Sequence, residues 1–82
     1  MYAKLDNYDY EIIMNGEVVI GVRIRVKDNT DVDISDIATE INAKEGNLYV
    51  DGIYAKMIDM EMHEDILTRE MYLNIRVIEE EE

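Results

Sequence analysis

His63 is the only histidine and Ser35 the only serine of the 82-residue chain. A serine nucleophile needs a base beside it and a strained, glycine-flanked turn that presents its oxygen. Ser35 has no such glycines and falls in the first turn of an expected helix, so nucleophilic catalysis is not expected. His63, within His63-Glu64-Asp65, reads as an exposed turn residue. Without cysteine or a second histidine, zinc lacks its usual ligands. Asp31-Val32-Asp33-Ile34-Ser35 begins like a calcium loop, with side-chain oxygens at positions one, three and five. The sixth position is then Asp36 where glycine is needed, and the twelfth is Asn42 rather than glutamate. Capping of a helix accounts for Asp33 and Asp36 at once. The glycines show no phosphate-binding spacing. The expectation is therefore a protein that is not an enzyme and has no metal site or cofactor.

The chemistry that remains is electrostatic. Twenty Asp and Glu face eight Lys and Arg, a net charge of −12. Residues 1–27 balance four acids with four bases, so the excess lies in residues 28–82. Asp28, Asp31, Asp33, Asp36 and Glu40 gather about the start of the expected helix. Asp59, Glu61, Glu64, Asp65 and Glu70 form a second group. On a strand, Asp59 and Glu61 face the same way roughly 6.6–6.8 Å apart. That density approaches a nucleic-acid strand's one charge per roughly 3.4 Å. Such a field repels nucleic acid and anionic membrane and attracts basic partners. Arg23, Arg25 and Lys27 form a short basic row, which neighbouring acids offset. All six aromatic residues are tyrosines. Tyr8 and Tyr10 are expected in the core, while Tyr49, Tyr54 and Tyr72 are left to contact a partner. The two acidic groups, with Tyr49 and Tyr54, are thus the candidate partner-binding residues; the plainer reading is a solvated face that maintains solubility.

These residues must be positioned by one small domain. An apolar content of 48% argues for a folded chain. In Val18–Val26, apolar residues at 18, 20, 22, 24 and 26 alternate with Arg23 and Arg25, the period of a central strand with one buried face. Tyr8, Tyr10, Ile12 and Met14 form a second strand, joined to the first through Asn15-Gly16. Two registers are open. A two-residue turn pairs Met14 with Glu17, and a three-residue loop pairs Ile12 with Val18 and Tyr10 with Ile20. Burial favours the second, with Asp9 and Glu11 near Arg23 and Arg25 on the outer face. Gly21 is a candidate bulge.

Ile34, Ile37, Ala38 and Ile41 carry helical spacing, with Asp33 as cap and Lys44 and Gly46 as stop signals. Asp51-Gly52 marks a second hairpin, pairing Val50 with Ile53 and Tyr49 with Tyr54. From Ala55 to Met62 a strand is preferred over a helix, with a bulge at Met57-Ile58. Met71, Leu73, Ile75 and Val77 close the sheet. Residues 1–78 are read as a single α+β domain and 79–82 as an acidic tail. The expected order is ββαβββ, a largely antiparallel sheet of four to five strands with one helix on one face. One helix cannot cover five strands, so the sheet must curl or another chain must cover part of it. With no cysteine, no signal-like leader and no apolar run long enough to span a membrane, a cytoplasmic protein is expected.

In size, acidity and lack of a catalytic motif the chain resembles small phage-encoded inhibitors that imitate DNA, of the anti-restriction and anti-CRISPR type. The resemblance implies a stoichiometric binder that occupies the basic groove of a nucleic-acid-binding host protein, without touching nucleic acid itself. The alternative is a small structural module that self-associates through sheet faces or edges, since a homodimer would also offset the self-repulsion of the acids.

Overall fold

A computed structural model describes residues 1–27 and 31–80. The elements are β1 (Ala3–Lys4), β2 (Asp9–Asn15), β3 (Val18–Val26), α1 (Ile34–Ala43), β4 (Asn47–Val50), β5 (Ile53–Glu64) and β6 (Met71–Glu80). They form one sheet in the order β1-β4-β5-β6-β3-β2, antiparallel except for the β1–β4 pair. The α+β class is as expected, as is the single helix among the described residues. The strand count and order are not. β1 was missed because two residues are too short to show alternation. The centre of the sheet is β5–β6, with β3 one place from the edge.

Helix α1 follows its sequence signals. The Asp33 carboxylate accepts from the Ser35 amide at 2.9 Å, and Ile34, Ile37, Ala38 and Ile41 are buried. After the last turn the Gly46 amide donates to the Ile41 carbonyl at 2.9 Å. The helix face packs into one core with Val22, Ile24, Leu48, Val50, Leu73 and Ile75.

The β2–β3 hairpin follows neither expected register. Its turn is Gly16-Glu17, with Asn15 opposite Val18. Gly16, at φ +64°, occupies the position a type II′ turn reserves for glycine. Beyond the turn Ile12 faces Val22 and Tyr10 faces Ile24, while Asp9 and Glu11 face Arg25 and Arg23 as anticipated. The turn and the buried face make demands one residue apart. A bulge at Ile20 reconciles them, because Met14 pairs with Val19 and Ile13 with Gly21. The bulge reverses the phase of the strand. Val19 is buried, whereas Val18 and Ile20, expected on the core ladder, face outward.

The Asp51-Gly52 hairpin has the expected pairs, and residues 57–62 lie in a strand with the expected bulge between Met57 and Asp59. The acidic tail is corrected. Glu79 and Glu80 continue β6 opposite Ala55 and Tyr54, and the Glu79 carboxylate accepts from the Val19 amide at 3.4 Å. Glu81 and Glu82 lie outside the described residues.

A short link shows that the sheet curls. β1 and β2 occupy opposite edges, yet five Cα steps separate Lys4 from Asp9. Those steps reach at most about 18 Å, whereas the edges of a flat six-stranded sheet lie roughly 24 Å apart. Leu5 lies in this link and is fully buried; its amide donates to the Tyr49 carbonyl at 2.9 Å and its carbonyl accepts from Tyr8. Asp6 accepts from the Asp51 amide at 2.7 Å. The helix packs on the concave side, and among the described residues no element covers the convex side.

Candidate functional site

On the convex face the register sets out rows of side chains. His63, Tyr72, Arg25 and Asp9 make one row, and Glu61, Asn74, Arg23 and Glu11 the next. Asp59 then stands beside Arg76, and further along β5 Lys56 stands beside Ile78 and Tyr54 beside Glu80. Lys4 and Tyr49 extend the face across β4 and β1. Five bases (Lys4, Arg23, Arg25, Lys56, Arg76) and five acids (Asp9, Glu11, Asp59, Glu61, Glu80) cancel there. Off this face the described acids outnumber the described bases twelve to three.

Specific pairs back this balance. Arg25 holds Asp9 at 2.8 Å and lies 4.0 Å from Glu70. Arg76 donates from Nε to Asp59 at 2.8 Å and from Nη2 to the second oxygen. That two-pronged hydrogen bond draws the Asp59 carboxyl below its ordinary pKa. Arg23 donates to the Asn74 amide oxygen at 2.9 Å. Its guanidinium also stands 5.8 Å from the centre of the Tyr72 ring.

The expected partner-binding acids separate accordingly. Asp59 and Glu61 lie on the convex face, and Asp59 is already committed to Arg76. Asp31, Asp33, Asp36 and Glu40 lie on the other side, on or just before α1. Asp28 lies outside the described residues. Glu40 accepts from the Tyr8 hydroxyl at 3.5 Å, and burial followed by the charge of Glu40 raises the Tyr8 pKa. Glu64, Asp65 and Glu70 lie where β5 turns into β6. There Asp65 accepts from the amides of Leu67 (2.9 Å) and Thr68 (3.2 Å), and Glu70 accepts from the Tyr72 hydroxyl at 2.9 Å. That contact, then burial, raises the Tyr72 pKa.

The helix group and the β5–β6 group share one end of the sheet. β3 ends there at Val26, β5 ends at Glu64 and β6 begins at Met71. Val32, just before the helix, lines a depression with Tyr8, Arg25 and Val26, and Arg25 reaches toward Glu70. The result is an acidic rim, in which Asp31, Asp33, Asp36, Glu40, Glu64, Asp65 and Glu70 outnumber the neighbouring Lys27 and Arg69.

Tyr49 and Tyr54 meet at a tilt of 58° with 4.9 Å between ring centres, and Tyr2 meets Tyr54 edge-on at 4.8 Å. They sit at the opposite end of the sheet from the rim, at the β1–β4 edge. Tyr2 was not foreseen. Arg76 and Asn74 were likewise missed; their alternation with Leu73 and Ile75 was the available signal, but Asp59 comes opposite Arg76 only through the bulge at Ile58, and Arg23 comes opposite Asn74 through the β3–β6 register.

His63 is exposed within β5 rather than at a turn, on the convex face opposite Tyr72. Ser35 is on the helix, so the sheet lies between the two. Among the described residues no group of three or more His, Asp or Glu is arranged to hold a metal ion. No helix there is long and apolar enough to cross a membrane. Compared with known proteins, the chain matches no family model, no curated protein and no solved structure.

Proposed function

We propose that this protein is a non-enzymatic binder whose acidic rim occupies a basic surface on another protein, of the kind that binds nucleic acid. It acts as an inhibitor by occlusion, in the manner of the phage-encoded DNA mimics that the sequence resembles. The observation that carries the reading is the segregation of charge. Opposite charges cancel on the convex face, while Asp31, Asp33, Asp36, Glu40, Glu64, Asp65 and Glu70 gather toward one end. A solubilising charge has no need of segregation, whereas a surface that meets a basic groove needs its charge on one side. Part of the rim is held in place by structure. Asp33 caps the helix, Asp65 closes a loop and Glu70 is tied to Tyr72. Ordering them beforehand lowers the entropic cost of docking.

The test is affinity capture from the source cell at 50 and 500 mM salt, followed by competition. The captured protein should bind nucleic acid, and this chain should displace it. The triple variant D31K/D36K/E64K should bind at least roughly tenfold more weakly, and the affinity of the unaltered chain should drop steeply as salt rises. Asp59→Asn should bind as the unaltered chain does, because that acid is neutralised within the fold. A captured partner indifferent to salt and to the triple variant defeats the reading.

A further inference from the structure

The convex face also carries an apolar surface. Val18 is 58% exposed, Ile20 43%, Ile58 52% and Ile78 60%. A shallow depression of about 420 Å³ runs between β2, β3, β5 and β6, lined by Ile13, Ile20, Gly21, Ile58, Arg76 and Val77. Two separate bulges build it. Ile20 is the extra residue of β3 and Ile58 the extra residue of β5. At each bulge two consecutive residues, Ile20-Gly21 and Ile58-Asp59, lie on the convex face, so an isoleucine stands beside the residue that the bulge re-aims.

We propose that this face joins two copies of the chain in a symmetric dimer. Charge selects the occupant. Two molecules of net charge −12 repel wherever their acidic surfaces meet, and only a face on which charges cancel allows close approach. Around the depression stand Arg23 and Arg76 with Glu11, Asp59 and Glu61. A two-fold axis through such a surface brings together two faces whose charges are already offset within each copy, so neither face repels the other. A basic partner is drawn to the acidic rim instead, and a nucleic acid is repelled by the chain as a whole. The tyrosines 2, 49 and 54 lie farther along the same face, a residue type enriched at interfaces. The dimer is independent of the inhibitor reading, because it leaves the acidic rim exposed.

The measurement is sedimentation equilibrium of the full chain from 1 μM to 1 mM, at 50 and 500 mM NaCl. A dimer is expected, and its dissociation constant should fall severalfold at the higher salt as the repulsion of the two net charges is screened. Ile58→Lys and Ile78→Glu, each at an exposed position, should weaken it by at least roughly tenfold while leaving the far-ultraviolet circular dichroism unchanged. Leu67→Glu, in the exposed β5–β6 loop, should not alter it. A monomer at 1 mM under both salts overturns the proposal. So does a dimer that survives both isoleucine variants, which would join elsewhere, such as the β2 edge, and so does one that salt dissociates. The rim-directed complex has the opposite salt dependence, so failure of either proposal is read separately.

Discussion

Asp59 and Arg76 illustrate how a residue counted for its charge can be withdrawn from the surface field by one neighbour. The guanidinium donates to both carboxylate oxygens, a geometry that suits arginine and that lysine cannot reproduce. Because this contact lowers the Asp59 pKa, its contribution to stability is present above the ordinary carboxylate range and is lost as pH falls through the lowered value. Arg76→Ala should raise the Asp59 pKa toward its ordinary value, as followed by NMR titration of the side-chain carboxyl. An unchanged midpoint would mean that the pair does not persist in solution. As both side chains are exposed, the substitution should change overall stability little.

At the scale of elements, the two bulges decide which side chains face which way. β3 carries apolar residues on both faces over Val18–Val22, so alternation there has no unique phase. The phase comes from outside the strand, through the Gly16-Glu17 turn and the close approach of Gly21 to its neighbour β6. A Cβ on Gly21 would stand 3.1 Å from the Ile75 carbonyl oxygen and 3.6 Å from the Ile13 Cβ. Gly21→Ala should therefore push β3 away from β6 and cost about 1–3 kcal/mol in urea denaturation, the usual penalty of overpacking. A cost under about 0.5 kcal/mol would show that the strands yield there.

For the molecule as a whole, the curl of the sheet substitutes for a second helix. Leu5 lies in the short link between the two edges and is fully buried, so it ties the curl as well as filling it. Leu5→Ala should cost about 2–5 kcal/mol, a large share of the roughly 5–15 kcal/mol available to a small domain. Urea denaturation checks this, and a loss below about 1 kcal/mol would show that the curl is held elsewhere. The curl also brings Tyr10 of β2 near the far edge. Burial, and then the charges of Asp51 and Asp6, raise its pKa. A group raised in the folded state supports folding below its ordinary pKa and withdraws that support as pH rises through the raised value. Stability should accordingly decline above about pH 10, with Tyr8, Tyr10 and Tyr72 each ionising above the ordinary tyrosine value in an ultraviolet titration. Ionisation of these three at the ordinary value would contradict this.

The sequence alone determined what local chemistry controls: the α1 face and its Asp33 cap, the Asp51-Gly52 hairpin, and the nearness, though not the register, of Asp9 and Glu11 to Arg23 and Arg25. It also revealed the acidic excess and the residues that compose it. Their arrangement was decided by tertiary structure, because a side chain's neighbours across a sheet depend on register, and register here depends on two bulges and a turn that must agree with one core. A two-residue strand such as β1 has too little pattern to declare itself, and its place beside β4 follows from the burial of Ala3 and Leu5. Only the folded sheet separates the paired Asp59 from the acids of the rim, because that separation depends on which residues meet through space.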